Sequence, residues 1–145
     1  MDPNNPVVKL CAQGIEIEMK GHRTEARSLY LQAWELRQDD VDACIAAHYL
    51  ARHQETLAET LRWNELALTH ALDASADSVR SFRPSLYLNL GKSYEDLGDI
   101  ARARELYEQG EQSIMDVPES GYGDIVRQGL HNALERVRHD SRTEG

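Results

Sequence analysis

The sequence contains few of the residues from which metal and redox sites are usually built. Its 145 residues include two cysteines, Cys11 and Cys44, and neither belongs to a Cys-x-x-Cys pair. A disulfide framework and a thiolate zinc site are therefore not expected. No serine or cysteine lies in a known nucleophile motif, and no glycine-rich phosphate loop is present. We therefore predict a protein that is not an enzyme and that needs no metal or cofactor.

Long apolar runs are also missing. None approaches the roughly 20 residues that a membrane-spanning helix needs. The first ten residues, MDPNNPVVKL, are acidic and hold two prolines, without the basic and apolar regions of a signal peptide. These features predict a cytoplasmic protein that does not bind membranes.

Positive charge is scarce. The chain has 16 Lys and Arg against 25 Asp and Glu, a net charge of −9. Such a chain repels phosphate backbones, and the arginines near its end are interleaved with acids as on an ordinary solvated helix. Nucleic acid is therefore not expected as a partner, and a neutral or basic segment is favoured.

An internal repeat is the strongest positive signal. A shift of 77 residues superimposes glycine on glycine and large apolar residues on large ones. The matched pairs include Leu10 and Tyr87, Gly14 and Gly91, Ile17 and Tyr94, Gly21 and Gly98, Ala26 and Ala103, and Tyr30 and Tyr107. Each copy has the helical spacing of two amphipathic helices.

The turn inside each copy is marked by glycine. Gly98 predicts a left-handed helix end and Asp99 a cap for the next helix. Gly91 lies inside the first helix, where glycine costs roughly 1 kcal/mol against alanine. We expect this glycine to let the backbones of two helices come together.

These residues resemble the tetratricopeptide repeat (TPR), a 34-residue helix-turn-helix unit. The later copy carries Tyr87-x-x-Leu90-Gly91-x-x-Tyr94 followed by Ala103-x-x-x-Tyr107. Tyrosines stand where the family often has Trp and Phe. The earlier copy is weaker because Gln13 replaces the usual leucine. The closing proline is also displaced, since Met115 occupies its position and Pro118 follows.

The resemblance implies an all-α fold, a right-handed solenoid of three hairpins and a C-terminal capping helix, seven helices in one domain over residues 1–145. The repeats are predicted at 7–40, 41–74 and 84–117. The middle copy is degenerate, with Asn64 at an aromatic position, and two registers that differ by one residue fit it. Residues 75–83 form either a loop or helix extensions. The capping helix is predicted at 124–139, after the breaker ESGYG, with one apolar stripe formed by Ile125, Val126, Leu130, Ala133, Leu134 and Val137.

The resemblance also implies a concave groove that holds a protein or peptide segment, so that the chain acts as a binding scaffold or adaptor. The residues that match groove positions are Cys11, Ile15, Glu18, Cys44, His48, Tyr49, Arg52, Ser85, Leu88, Asn89, Lys92, Glu95 and Asp96. Family members that bind chaperone C-termini use a Lys/Asn/Arg clamp for the terminal carboxylates. The matching positions here hold Cys11, Ile15, Ile45, Ser85 and Asn89, without a cation, so that partner class is not expected.

Two alternatives remain open. The first is a structural module that forms homo-oligomers through the face from Val7 to Ile17 or through the C-terminal helix. A less favoured hypothesis is a small-ligand or metal-dependent enzyme centred on His48, Tyr49, Arg52 and His53.

The two cysteines occupy equivalent places on adjacent inner helices, typically 8–10 Å apart, which is too far for a disulfide. They are predicted to be reduced, semi-buried thiols.

Overall fold

The computed structural model describes residues 2–75, 77–117 and 120–140, and within these ranges it is all-helical, without strands. In the described part of the chain, seven helices have at least 12 residues, which is the number predicted. The helices are α1 (Pro6–Met19), α2 (Arg23–Glu35), α3 (Asp40–Ala51), α4 (Leu57–Asp73), the one-turn helix α5 (Asp77–Arg80), α6 (Arg83–Asp96), α7 (Ile100–Ser113) and α8 (Gly121–Arg138). A 3₁₀ turn, Ile114–Asp116, follows α7. The chain divides into two compact units between Ala74 and Ser75. The predicted single domain and solenoid stay predictions.

Unit 1 consists of two helical hairpins. Helix α1 packs against α2, α3 packs against α4, and α3 also contacts both helices of the first hairpin. Tyr30 and Leu50 have no solvent exposure and lie in the core between these helices. Asn64, at the position where the repeat pattern expects an aromatic, is buried in α4. The core is therefore built from the apolar faces that the helical periodicity predicts.

Unit 2 contains one long hairpin and a third helix. Helix α6 packs against α7, and α8 contacts both. Its core is formed by Tyr107 of α7 together with apolar residues of α8, among them Leu130, Leu134 and Val137. Leu90 of α6 is buried, whereas Tyr87 and Tyr94 on the same helix are half-buried. Most of the repeat pattern thus faces the interior of the unit, as predicted.

The turn between the helices of each repeated hairpin depends on glycine. Gly21 and Gly98 have φ values of 88° and 89°, in the left-handed region that glycine adopts without strain. The Asp99 side chain accepts a hydrogen bond from the Arg102 backbone N–H at 3.1 Å and caps α7. The predicted left-handed helix end and the predicted cap are both confirmed.

Three expectations about details are wrong. The glycine inside each first helix does not bring two backbones together, because a tyrosine ring of the second helix occupies the space: a Cβ on Gly91 would lie 2.5 Å from Tyr107 Cε1. The last helix begins at Gly121 rather than 124, because Ser120 caps it and its first turn takes in GYG from the expected breaker. Ile125 is 73% exposed, since it is one step around the helix from the buried Val126.

The connection between the hairpins is largely helical. Within residues 75–83, α5 covers Asp77–Arg80, and α6 begins at Arg83 with Pro84 in its first turn, where proline's fixed φ suits a helix. Met115, at the position of the family's closing proline, is exposed, and Pro118 lies outside the described residues.

Candidate functional site

In unit 1 the predicted groove residues lie on α1 and α3, which run side by side in the same direction. At their first turns the Asn5 side chain donates to Asp42 Oδ1 at 2.8 Å. At their last turns Glu18 contacts both Arg52 and His53. Of the predicted residues, Ile15, His48 and Tyr49 are half-buried and Arg52 is exposed. We call the surface formed by Ile15, His48, Tyr49 and Arg52 the α1–α3 face.

A network of polar contacts joins the C-terminal ends of α1 and α3, and we call it the Glu18 cluster. It consists of Glu18, Tyr30, Arg52 and His53. The Tyr30 hydroxyl donates to Glu18 Oε1 at 3.0 Å, and His53 Nε2 lies 2.6 Å from the same oxygen. Arg52 Nη2 donates to Oε2 at 2.7 Å. Burial alone raises the pKa of Glu18, but the bonds from His53 and Tyr30 and the charge of Arg52 outweigh it and hold that pKa below its ordinary value.

Unit 2 holds a matching Glu95 cluster, formed by Glu95, Tyr107 and Arg136. The 77-residue shift places Glu18 on Glu95 and Tyr30 on Tyr107. The Tyr107 hydroxyl donates to Glu95 Oε1 at 2.7 Å, and Arg136 of α8 donates through Nε and Nη2 at 3.1 Å each. Burial opposes ionisation of Glu95, yet the bonds from Arg136 and Tyr107 leave its pKa lowered. In each unit, a third helix is thus held by an arginine to the Glu–Tyr pair of a hairpin.

Most of the predicted groove residues of unit 2 make contacts within that unit. The Ser85 hydroxyl donates to the Phe82 carbonyl and accepts from the Tyr122 hydroxyl. Leu88 lies against Gly129 of α8, where an added Cβ would be 2.9 Å from Leu88 Cδ2. Lys92 and Asp96 form an ion pair at 2.8 Å on the exposed side of α6, and Asn89 is half-buried. Helix α8 therefore contacts two of the predicted residues of unit 2, Ser85 and Leu88, and both stay partly exposed.

The four residues proposed as an enzyme centre lie close together and contact one another or Glu18. His53 lies beyond the end of α3, with its side chain 2% exposed, and its Nε2 faces Glu18. His48 packs its ring edge-on to Tyr49, with centroids 4.9 Å apart. Among the described residues, no group of three His, Cys, Asp or Glu side chains is placed to hold a metal ion.

The two cysteines are free, and both are buried rather than semi-buried as the sequence suggested. Burial raises the pKa of each thiol to about 12. Because the thiolate is the reactive form, Cys11 and Cys44 are inert at neutral pH and contribute to packing between the helices.

His48 makes the stability of the fold depend on pH. Burial, and then the charge of Arg52, lowers its pKa from 6.5 to about 4. Its Nδ1 is buried without a hydrogen-bond partner among the described residues. Between pH 6.5 and about 4, His48 is protonated in the unfolded chain but stays neutral in the folded chain, so the free energy of unfolding falls as the pH falls. From about pH 7 to about pH 5 we expect a loss of about 1–2 kcal/mol, since the ring keeps some contact with solvent.

Urea unfolding of the wild type and of His48→Gln at both pH values measures this loss. The variant is expected to lack it, whereas His22→Gln, which changes an exposed imidazole, retains it. A difference between wild type and His48→Gln that does not vary with pH contradicts the prediction.

Sequence reasoning missed Arg136 and His53 as partners of the two glutamates. The alternation of charges near the end of the chain predicts only a solvated helix face for Arg136, and the repeat has no copy of it, because α8 lies outside the matched blocks. The signal that was available is the coincidence of two pairs under one shift, Glu18 with Glu95 and Tyr30 with Tyr107.

Comparison of the chain with models of known protein families, with curated proteins and with solved structures finds no match. Among the helices that the structure describes, none combines the length and the apolar composition that crossing a membrane requires.

Proposed function

We propose that the chain is a TPR-like scaffold without catalytic activity that binds a segment of a partner protein on the inner helices of its hairpins. The observation that carries the proposal is the α1–α3 face. Two parallel helices are joined at both ends by polar contacts. Between these ends Ile15, His48 and Tyr49 are partly exposed, and Arg52 is exposed at the second end.

The chemistry of this face suits a peptide. Rings such as Tyr49 and His48 supply contact area at a small loss of conformational freedom, and Arg52 adds charge-assisted hydrogen bonds. The face is held rigid from below, since Tyr49 stacks on the buried Tyr30 with centroids 5.2 Å apart. Rigid side chains lose little entropy on binding, which favours recognition of a segment that is itself extended or helical.

Self-association is less well supported. Along the proposed N-terminal contact face, Val7 is buried and Val8, Leu10 and Ile17 pack against the core of unit 1. The C-terminal helix turns its apolar side to α6 and α7 and leaves Tyr122 and Ile125 exposed. Light scattering across a dilution series separates the two functions, because a monomer at all concentrations excludes the oligomer.

The test of the proposed function is a selection from a displayed library of random peptides. Peptides that bind the wild type are expected to lose binding to Ile15→Glu, which places a charge on the α1–α3 face. The matched control is Gln13→Glu, which adds the same charge to an exposed position of the same helix and should bind as the wild type does.

Hydrogen exchange of the complex supplies the second readout. Bound peptide should slow the exchange of amides in α1 and α3. Slowing confined to α2 and α4, or equal losses in the two glutamate variants, contradicts the proposed site, and a library without binders contradicts the function.

A further inference from the structure

Arg52 supplies a smaller share of the hydrogen bonds to Glu18 than Arg136 supplies to Glu95. Glu95 receives three hydrogen bonds, two of them from Arg136. Glu18 also receives three contacts, but Tyr30 and His53 make two of them, both to Oε1. Since the Glu18 carboxylate only accepts, His53 Nε2 carries the proton in this contact. Glu18 therefore keeps two donors when Arg52 turns away from it, whereas Glu95 without Arg136 keeps one.

Arg52 is placed to make further contacts. It is the C-cap residue of α3, and its side chain is 48% exposed. One of its five N–H groups donates a hydrogen bond to Glu18. The guanidinium lies 5.9 Å from the centre of the Tyr49 ring, which stacks on Tyr30. A cation over an aromatic face is attracted to it, so Tyr49 helps to position the guanidinium while about half of the Arg52 side chain stays exposed.

A second guanidinium joins at the same end of unit 1. Arg23, at the start of α2, donates from Nη2 to the Arg52 carbonyl at 3.3 Å. Arg23 thus binds the backbone of Arg52, while the Arg52 side chain binds Glu18, in a chain whose net charge is −9. Exposed Lys20 and Glu55 follow in the adjoining turns and leave the surroundings mixed in sign.

From this arrangement we propose that Arg52, supported by Tyr49 and Arg23, binds a single carboxylate of the partner segment, either an Asp or Glu side chain or a C-terminus. The inference rests on the proposed function, since it uses the exposed end of the α1–α3 face. The planar guanidinium matches a carboxylate with two parallel hydrogen bonds, which a lysine cannot supply. An acidic run is disfavoured by the net charge of the chain, so the carboxylate belongs to a segment without net negative charge.

This position differs from those of the family's carboxylate clamp. The matching clamp positions hold Cys11, Ile15, Ile45, Ser85 and Asn89, of which Cys11 and Ile45 are buried. Arg52 instead lies where α3 ends and the turn toward α4 begins.

The experiment uses peptides selected from the random library against the wild-type chain. Each is synthesised with its Asp and Glu residues intact or changed to amides, and with a free or amidated C-terminus. Removing the recognised carboxylate should weaken binding to the wild type roughly tenfold, which corresponds to about 1.4 kcal/mol. Weaker binding after the side-chain change identifies a side-chain carboxylate, and weaker binding after amidation of the C-terminus identifies a C-terminal one.

Variants of the chain assign the effect to Arg52. In Arg52→Gln the two forms of each peptide should bind about equally, because the positive charge and the planar pair of donors are gone. The matched control is Arg62→Gln, an exposed arginine of α4, which should keep the full tenfold preference. If Arg52→Gln does not fold, Arg52→Lys keeps the charge but not the planar fork and should retain only part of the preference.

The outcomes distinguish the two proposals. Peptides that bind with no preference for a carboxylate, or a preference that Arg52→Gln and Arg52→Lys both preserve, overturn the assignment of Arg52 and leave the scaffold function standing. A library that yields no binders overturns both.

Discussion

Replacing Tyr30 or Tyr107 with alanine is expected to lower the free energy of unfolding by about 3–5 kcal/mol. Both side chains have no solvent exposure, and each fills the space beside a glycine of the neighbouring helix. Truncation leaves a cavity at the centre of the hairpin and removes the hydroxyl that donates to Glu18 or Glu95. The surrounding helices relax only in part, so the loss exceeds the transfer free energy of the ring.

Urea unfolding measures the loss at Tyr30 well, because both tryptophans of the chain, Trp34 and Trp63, lie in unit 1 and report its unfolding by fluorescence. Far-UV circular dichroism serves for Tyr107. Phenylalanine at either position keeps the ring and removes the hydroxyl, and it should cost about 1.5–3 kcal/mol, as for a hydrogen bond to a charged group. A phenylalanine variant as unstable as the alanine variant means that the hydroxyl, not the packing of the ring, carries the effect.

Gly14→Ala and Gly91→Ala are expected to destabilise the fold by about 2–3 kcal/mol. Glycine-to-alanine changes inside helices usually gain about 1 kcal/mol, so the sign of the effect identifies the contact. A Cβ on Gly14 would lie 2.3 Å from Tyr30 Cε1, and one on Gly91 would lie 2.5 Å from Tyr107 Cε1. The ring has no room to withdraw, since it is buried and its hydroxyl is bonded to a glutamate.

Urea unfolding checks this prediction, with Gln13→Ala as the control. Gln13 is exposed beside Gly14 on the same helix, and its replacement should change stability by less than about 0.5 kcal/mol. A double-mutant cycle assigns the effect, because the cost of Gly91→Ala should disappear in a Tyr107→Ala chain, where the methyl group enters the cavity. A stabilising Gly14→Ala contradicts the contact.

Much of the local structure could be predicted from the sequence because local chemistry determines it. The turn at Gly98 needs a left-handed residue, Asp99 has the side chain of a helix cap, and the apolar spacing specifies which side of each helix is buried. The predictions of burial are wrong where neighbouring residues have the same local chemistry. Ile125 is as apolar as Val126, and only the position of α8 on its hairpin exposes the first and buries the second.

The candidate site could be predicted less well. The resemblance to the repeat family predicts Glu18, Arg52 and Glu95 on the inner helices, with side chains that face a partner. In the structure Glu18 and Glu95 are bound to tyrosines of their own hairpins, and the predicted residues Ser85 and Leu88 contact α8. Which polar side chains stay open depends on how a third helix packs, and periodicity carries no information on that.

The sequence by itself determined the repeated hairpins, through a shift of 77 residues that keeps glycine opposite tyrosine and a glutamate in the last turn of the first helix. Only the tertiary structure decided which arginine completes each Glu–Tyr pair. Arg52 and Arg136 are not related by that shift, because an ion pair between helices is set by where the third helix lies in space and not by its distance along the chain.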